Sequence, residues 1–299
     1  MQQHKLGHVV ESTDNSMNRD NTELNTEYSR KKLENNSGKN KIALIFHLKI
    51  GDLERYTDWL DKSKSMLGSR RLFRVKVDPA PREGMVIYEI VIDEFPKSQS
   101  ALEFMSVFGP ELKEICSNVV VLAIEAEPAA TFRIVKAISW VVQLFKGIKD
   151  CGIPSADWKA PNTAVWPDGY QMDVARSQNL DEPLFVYNLN KNKEFAEYQT
   201  SGIGSKQVSG QEAYDRYAKI AGFELLRRGA FPVYGGKPIC LLEGDPDCML
   251  ADRWDKFIFV RYPQRRNLLA IIEGNEFKKG QDHRDAGLER VAIFMGKEA

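Results

Sequence analysis

The stretch DHRDAGLER, at positions 282–290, brings together side chains suited to proton transfer and to anion binding. His283 carries an imidazole, whose ordinary pKa of about 6.5 allows it to exchange protons at neutral pH. Two neighbouring aspartates are placed to orient the ring, Arg284 to bind an anion, and Gly287 to permit a turn into the apolar run that follows. The stretch therefore predicts either a catalytic site, with His283 as acid and base, or the polar approach to a buried strand.

Two further polar side chains lie inside apolar runs that predict central strands. Asn188 lies within PLFVYNLNK and His47 within IALIFHLKI. A polar side chain in such a strand must find a hydrogen-bond partner in the core or face a cavity. Either both are satisfied in the core, or Asn188 forms the floor of one cleft and His47 marks a second site in the equivalent place of the first half.

A predicted helix and a predicted strand supply more candidates for holding a substrate. Tyr214 and Tyr217 are three residues apart and share one helix face. Arg228 ends the same helix, where it either complements the helix dipole or holds a carboxylate. Alternation places Trp254 and Tyr262 on one face of WDKFIFVRY, as core residues or as walls of the cleft. The predicted substrate-binding residues are Asn188, Tyr214, Arg228, Trp254 and Arg284.

The composition and the motif content narrow the partners and the chemistry. Basic and acidic residues both number 42, so no overall charge favours nucleic acid, which we exclude as a partner. The four cysteines show neither CxxC nor zinc-like spacing, and His47 and His283 lie in different halves, so we predict no metal site. No phosphate loop or dinucleotide fingerprint is present, and the glycine pair in YGGKP fits a hairpin turn. We therefore predict no cofactor.

The N-terminus lacks a secretory pattern, which predicts a cytoplasmic protein with free thiols.

Apolar runs alternate with helical patterns in the same order twice. Positions 1–40 are rich in Asn, Ser, Thr and charge, and predict a disordered tail. Strands and helices in the order βαββαβ are predicted at 41–128 and again at 181–299. FHLK at 46–49 aligns with YNLN at 187–190, an offset of 141. The later stretch DEFPKSQSALEFM aligns with VRYPQRRNLLAII at an offset of 167. The difference of 26 residues predicts an insertion around EFAEYQTSGIGSKQVSGQ that either covers a site or is a surface loop.

The linker at 129–180 contains an amphipathic stretch, TFRIVKAISWVVQLFKGIKD, at 131–150. Its apolar residues recur at helical spacing and basic residues lie elsewhere, which predicts a helix. Charges interrupt it too often for it to span a bilayer. We favour a linker helix packed across the two modules. The alternative is membrane contact through an interfacial helix, which has the same basic amphipathic pattern.

Four stretches of the second half carry a resemblance to a known family. They are VYNLNK (186–191), SGQEAYDRYAKIAG (209–222), DRWDKFIFVRYP (252–263) and HRDAGLER (283–290). Together they are similar to the domain-of-unknown-function 1330 family of the dimeric α/β-barrel (ferredoxin-like) superfamily. The first half resembles the same fold but lacks a counterpart of HRDAGLER. The resemblance implies an α+β chain of two ferredoxin-like βαββαβ modules, whose sheets pack as an intrachain α/β-barrel pseudo-dimer with a cleft between sheet and helices in each module.

The resemblance also sets the range of functions. Members of the superfamily include cofactor-independent monooxygenases, muconolactone-isomerase-like enzymes and haem proteins, so the fold does not define the function. We predict a small-molecule enzyme, a cofactor-independent oxygenase, isomerase or cyclase, that acts on an anionic or aromatic substrate with His283 as acid and base. The alternatives are a non-catalytic ligand-binding or scaffold protein and, by analogy, a haem held by His283. The chain is either a monomer with an internal pseudo-dimer or a homodimer.

Overall fold

Antiparallel strands close into one barrel in the computed structural model, which describes residues 27–36, 40–146, 162–199 and 208–299. The strands are β1 (Ile42–Ile50), β2 (Arg70–Val77), β3 (Glu89–Phe95), β4 (Cys116–Ala126), β5 (Leu184–Asn192), β6 (Phe231–Glu243), β7 (Lys256–Tyr262) and β8 (Leu288–Glu298). The helices are α1 (27–34), α2 (Leu53–Ser63), α3 (Ser98–Ile115), α4 (Ala129–Lys146), α5 (Gly169–Ser177), α6 (Gly210–Arg227), α7 (Arg265–Glu273) and α8 (Asn275–Gly287). Short 3-10 helices lie at Met66–Gly68 and Met249–Ala251.

Both halves of the chain build the barrel. Around its circumference the strands follow the order β1-β3-β2-β8-β5-β7-β6-β4, and β4 pairs again with β1. Each half contributes four neighbouring strands, and the pairs β2–β8 and β4–β6 join the halves. The order βαββαβ is present in each half, with α8 as an additional helix in the second. Closure within one chain pairs both edges of each half's sheet, so these eight strands offer no free edge to another molecule.

Strand β1 is buried on both faces because helices cover the outside of the barrel. Ala43 and Ile45 face the barrel interior, whereas Leu44, Phe46 and Leu48 pack in the layer between the sheet and its helices. Branched and aromatic side chains suit a strand that is buried on both sides. Full burial of one such large side chain stabilises the fold by about 1.5–3 kcal/mol.

The two halves align with an offset one residue longer than the sequence alignment predicted. Phe46 pairs with Val91 on β3, and Asn188 pairs with Ile258 on β7. Since Val91 and Ile258 are related by the offset of 167, Asn188 corresponds to Phe46, at an offset of 142. A shift of one residue turns a strand residue to the opposite face of the sheet. The predicted equivalence of His47 and Asn188 is therefore wrong: His47 faces the barrel interior, and Asn188 faces the helices.

Part of the segment predicted to be disordered is folded. Residues 27–34 form α1, and Leu33 is completely buried in the core of the first half. The carbonyl of Ser29 accepts a hydrogen bond of 3.3 Å from the Cys240 thiol, which places α1 against β6. The tail prediction is wrong for 27–34, because one well-buried leucine helps dock a short polar helix. Positions 1–26 and 37–39 lie outside the described residues.

β6 is one long strand, so the hairpin predicted at YGGKP is absent. Its first part pairs with β7 and its second part pairs with β4, and the two pairings meet at Gly236. A Cβ atom on Gly236 would lie 2.3 Å from the carbonyl oxygen of Glu125. The glycine therefore permits close approach of neighbouring strands and does not form a turn.

Helix α4 covers most of the stretch that was predicted to be helical. It packs against β6 and α6, both in the second half of the chain. The positions after it, 147–161, lie outside the described residues, and Cys151 is among them. None of the helices in the described ranges is long and apolar enough to cross a membrane.

Candidate functional site

A cavity of about 360 Å³ lies between the second half of the barrel and the helices that cover it. Strands β5, β7 and β8 form one wall, and α6, α7 and α8 form the other. Most of the lining is aliphatic, with Val186 and Ile258 on the sheet side and Leu268 and Ile271 on the helix side. An apolar pocket with a few converging polar groups is the usual form of a small-molecule site.

Five polar side chains reach this apolar space, and they come from four different elements. They are Asn188, Tyr214, Tyr217, Tyr262 and Arg284. The Nδ2 atom of Asn188, in the middle of β5, donates only a long hydrogen bond of 3.4 Å to the Val186 carbonyl of its own strand. The amide is therefore weakly engaged by the protein and is placed to bond a ligand.

Helix α6 holds two of the tyrosines against the sheet. Ser209 begins the helix by accepting a hydrogen bond of 3.1 Å from the Glu212 backbone nitrogen. The rings of Tyr214 and Tyr217 lie 5.5 Å apart between centroids, as the three-residue spacing predicted. Asn190, two residues beyond Asn188 on the same strand, is also buried, and its side-chain amide lies beside the hydroxyl of Tyr214.

Arg284 is the only positive charge in the cavity lining that the structure describes. Its Nε and Nη2 atoms donate to the Val165 carbonyl at 3.0 and 2.7 Å. Its guanidinium also lies 4.6 Å from the ring centroid of Trp166 and 5.1 Å from that of Tyr217. The residue is only 6% exposed, and no carboxylate of the described residues forms an ion pair with it. A carbonyl and two aromatic faces therefore hold a buried cation that no carboxylate contacts directly, and Asp285, the next residue of α8, is the acid whose charge acts on it.

The phenols around Arg284 remain protonated at neutral pH. Burial raises the pKa of Tyr214 to about 12, although the nearby Arg284 guanidinium lowers it in part. Burial likewise raises the pKa of Tyr217 and of Tyr262. The described lining contains no carboxylate, imidazole, thiol or amine. The cavity thus offers hydrogen-bond donors and a cation, and no group that titrates near neutrality.

His283 points away from this cavity. Its Nδ1 atom and the hydroxyl of Tyr198 are 2.8 Å apart, and the two rings meet edge to face. Burial, and then the neighbouring charge of Arg216, lower the pKa of His283. Successive residues of a helix are turned by about 100°, so α8 directs Arg284 inward and His283 toward the segment between β5 and α6. The prediction that His283 acts on a substrate in the cleft is not supported by this geometry.

Two other predicted residues also lie outside the cavity. Arg228 is buried at the end of α6 and forms an ion pair with Glu224, so it is not available as an anion clamp. Trp254 precedes β7 and packs into the cluster of the barrel interior, with the guanidinium of Arg290 6.0 Å from its ring centroid. The alternation that placed Tyr262 on the cleft wall holds within β7, whereas Trp254 lies before the strand begins. Of the predicted substrate-binding residues, the structure brings together Asn188, Tyr214 and Arg284.

Gly287 has a role that the sequence did not indicate. It ends α8 where that helix crosses the start of α6, and a Cβ atom on it would lie 2.5 Å from the Gly210 carbonyl oxygen. A Cβ atom on Gly210 would meet the Gly287 carbonyl oxygen at the same distance. The two glycines let the helices touch backbone to backbone and thereby bring Arg284 and Tyr214 to one cavity. The stretch continues from helix directly into β8, and the turn predicted there is absent.

The corresponding space in the first half is filled. Phe46, which occupies the position of Asn188, packs edge to face on Trp59 and Phe104 at centroid distances of 6.0 and 6.1 Å. All three side chains are completely buried. The predicted second site at His47 is therefore absent from this layer, because aromatic rings occupy the place where a ligand would lie.

His47 instead joins the two halves inside the barrel. Its Nε2 atom lies 2.9 Å from the Tyr187 hydroxyl, and its Nδ1 atom lies 3.2 Å from the Val120 carbonyl. The carbonyl can only accept, so Nδ1 carries the proton and Nε2 accepts from the phenol. Burial lowers the pKa of His47 to about 4. The imidazole is thus a neutral, fully bonded core group. Satisfaction in the core was one of the two interpretations that its sequence position allowed.

Sequence reasoning missed one part of the site. Trp166, which sandwiches the Arg284 guanidinium together with Tyr217, lies in the Pro-rich linker, where no periodic pattern marked it. Its indole Nε1 donates to Asp285 at 2.7 Å, so this aspartate orients a tryptophan and not the histidine. The described part of the predicted insertion reaches His283 through Tyr198 and does not line the cavity, and positions 200–207 lie outside the described residues.

Comparisons with known proteins give no family assignment. A scan against protein-family models found no match, and neither did a search of curated proteins. Membership in the domain-of-unknown-function 1330 family therefore stays a prediction. Among solved structures, a protein of unknown function from Rhodopseudomonas palustris is 22% identical, with a TM-score of 0.39, and the match covers 45% of this chain and 96% of that one.

Two larger structures match over most of the chain. A presumed monooxygenase from Lactobacillus acidophilus is 9% identical, with a TM-score of 0.40, and the match covers 86% of this chain and 93% of that one. Chlorite dismutase from Candidatus Nitrospira defluvii is 9% identical, with a TM-score of 0.44, and the match covers 90% of this chain and 94% of that one. With TM-scores below 0.5, these similarities do not extend to chemistry, which has to be argued from the cavity itself.

The residues of the cavity do not fit a haem held by histidine. Of the histidines in the described part of the chain, His283 is bonded to Tyr198 outside the cavity, and His47 is enclosed in the barrel interior. Neither presents a free imidazole nitrogen to the cavity. Within the same residues, no group of three His, Cys, Asp or Glu side chains is arranged to bind a metal ion.

Proposed function

We propose that the cavity of the second half binds a small apolar anion, of the class of aromatic carboxylic acids. The observation that carries this proposal is Arg284, a buried guanidinium without a carboxylate partner in the described chain, at the wall of an aliphatic cavity. A buried charge is costly unless an opposite charge or hydrogen bonds satisfy it. An anionic ligand would contact the guanidinium directly and would gain a charge-assisted hydrogen bond.

Each polar group has a distinct part in such binding. Arg284 would hold the carboxylate, while Tyr214 and Asn188 would bond the oxygen atoms of ring substituents. The aliphatic side chains, such as Val186 and Ile271, would enclose the ring. A volume of about 360 Å³ is at the small end for ligand sites, which favours a molecule of one or two rings.

Binding without catalysis fits the geometry better than the enzymatic alternative. An isomerase or cyclase needs a proton shuttle, and the predicted one, His283, is directed away from the cavity. The phenols are poor bases at neutral pH because burial raises their pKa, to about 12 in the case of Tyr214. Oxygenation without a cofactor would require only a bound, activated substrate, and it is the one enzymatic class that this lining leaves open.

A cavity-filling variant tests the proposal. Asn188→Phe places in the second half the residue that fills the same position in the first, so the fold has a precedent for it. We expect 1-naphthoate to raise the melting temperature of the parent chain, since a ligand that binds only the folded state stabilises it by RT ln(1 + L/Kd), where L is the free ligand concentration. Asn188→Phe should abolish that shift, while His283→Ala should retain it.

A neutral analogue separates charge from shape. 1-Naphthamide should stabilise the parent chain much less than 1-naphthoate does, and Arg284→Gln should remove the difference between the two compounds. If Arg284→Gln is unstable, Asn188→Phe still decides the location of binding. Equal shifts for the acid and the amide, or a shift that survives in Asn188→Phe, would exclude an anion site in this cavity.

A further inference from the structure

Helix α4 presents a broad apolar face to the outside of the protein. Six large side chains on it are between 44% and 78% exposed: Ile134, Ile138, Trp140, Val141, Leu144 and Phe145. The helix packs on the protein through its other side, where Ser139 is buried and Phe132 contacts the ring of Tyr234. Contiguous exposed apolar surfaces of this kind mark interaction sites.

Positive charges lie along one edge of this face, beside a groove between α4 and the end of the barrel. Arg133 and Lys136 are exposed on α4, and Arg261 comes from the end of β7. In the described part of the chain, no carboxylate forms an ion pair with any of the three. The single acid of the groove, Glu94, is already bound by Lys41 and by a further arginine.

The helix has no acidic residue to offset these charges. Its sequence, AATFRIVKAISWVVQLFK, contains three basic residues and no aspartate or glutamate. Trp140 lies on α4 beside Arg133 and Lys136, and it lines the same groove. A strongly apolar face with basic residues and an aromatic ring at its border is the pattern of helices that lie in the surface of a bilayer.

We propose that the outward face of α4 docks the protein on a bilayer that contains anionic lipids. The six apolar side chains enter the boundary between headgroups and acyl chains, and Trp140 lies at the level of the headgroups. Arg133, Lys136 and Arg261 then face the lipid phosphates, which supply the negative charge that the protein lacks here.

A second copy of the chain is a poorer occupant of this face. Pairing α4 with α4 of another molecule would bring together two sets of cations with no acidic residue on either helix. Juxtaposed like charges oppose association. The lipid surface satisfies both the apolar side chains and the unpaired cations.

Sedimentation of the chain with vesicles tests the proposal. We expect the parent chain to sediment with phosphatidylcholine vesicles that contain phosphatidylserine, and much less with vesicles of phosphatidylcholine alone. Each cation near an anionic surface strengthens binding about fivefold, so Arg133→Gln combined with Lys136→Gln should weaken it roughly 25-fold. Added salt should weaken the binding of the parent chain more than that of this double variant.

Matched variants control for general changes of charge and hydrophobicity. Phe145→Glu, at a side chain that is 78% exposed, should abolish sedimentation without loss of fold. Leu53→Glu makes the same change at an exposed leucine of α2 and should leave binding unchanged. Lys219→Glu, on the exposed side of α6, is the control for charge.

Three results would overturn the proposal. The first is a parent chain that sediments with neither kind of vesicle, and the second is equal sedimentation with both kinds. The third is a dimer in the absence of vesicles that Phe145→Glu dissociates, since the face would then belong to a second copy. Loss of vesicle binding in Phe145→Glu and the cation variants, with binding retained in both controls, supports it.

Discussion

Protonation of His47 should destabilise the folded barrel at acid pH. The imidazole is enclosed between the halves, where the Tyr187 hydroxyl and the Val120 carbonyl satisfy its neutral form. Burial lowers its pKa from 6.5 to about 4. The unfolded chain therefore takes up a proton as the pH falls below 6.5, whereas the folded barrel takes it up only near pH 4. The contribution of the neutral imidazole to the free energy of unfolding is therefore fully present above pH 6.5, and it is lost as the pH falls toward 4.

The size of the effect follows from the difference in pKa. One unit of pKa corresponds to about 1.4 kcal/mol, so the lowered pKa of His47 is equivalent to roughly 3 kcal/mol over the whole window. Between pH 7 and pH 5 the loss should be about 2 kcal/mol, because the folded state is still unprotonated at pH 5. Urea unfolding followed by circular dichroism at a series of pH values measures this slope directly.

A double variant isolates the contribution of His47. His47→Leu combined with Tyr187→Phe removes the imidazole together with the hydroxyl that would otherwise be left unpaired. Its free energy of unfolding should change by about 2 kcal/mol less than that of the parent chain between pH 7 and pH 5. His283→Ala, at the partly exposed histidine, should keep most of the parent slope. Identical slopes in the parent and the double variant would refute the reasoning, as would an NMR titration of His47 with a midpoint at or above pH 6.5.

Three further predictions concern stability, and urea unfolding measures each of them. Gly287→Ala should destabilise the fold by about 1–3 kcal/mol through its backbone collision, whereas Gly169→Ala, with open space around it, should not; equal effects would contradict the helix crossing. Asp78→Ala should cost about 3–5 kcal/mol because the buried guanidinium of Arg265 loses both of its bonds to Asp78, at 2.5 and 3.0 Å, and keeps only the looser ion pair with Glu182 at 3.9 Å. Leu33→Ala should cost about 2–5 kcal/mol, and no loss would show that α1 is not docked.

Local patterns predicted the elements of this fold well, because both halves follow the spacing rules of strands and helices. β1 was predicted with its observed limits, as the run IALIFHLKI. The predicted offset between the first strands of the two halves was one residue too short. In a strand, an error of one residue places a side chain on the opposite face of the sheet. Motif similarity between FHLK and YNLN set the wrong register, whereas the pairing of Asn188 with Ile258 is a property of the closed barrel.

The candidate site could be predicted only in part. Asn188 and Tyr214 were found because a polar residue in an apolar strand and a helix face are local signals. Arg284 was found as part of its motif, but the motif favoured its neighbour His283 as the residue that acts on the substrate. Which of two adjacent helix residues faces a cavity depends on how α8 crosses α6, and that crossing depends on Gly210 and Gly287. No spacing rule over a short segment contains this information.

The central claim is that Arg284 binds an anion inside the second-half cavity. A crystal structure of the chain soaked with 1-naphthoate tests it most directly. We expect the ring between β5 and α7, with its carboxylate within hydrogen-bond distance of the Arg284 guanidinium. A ligand bound elsewhere, or a cavity that side chains have filled while 1-naphthoate is in excess, would contradict it.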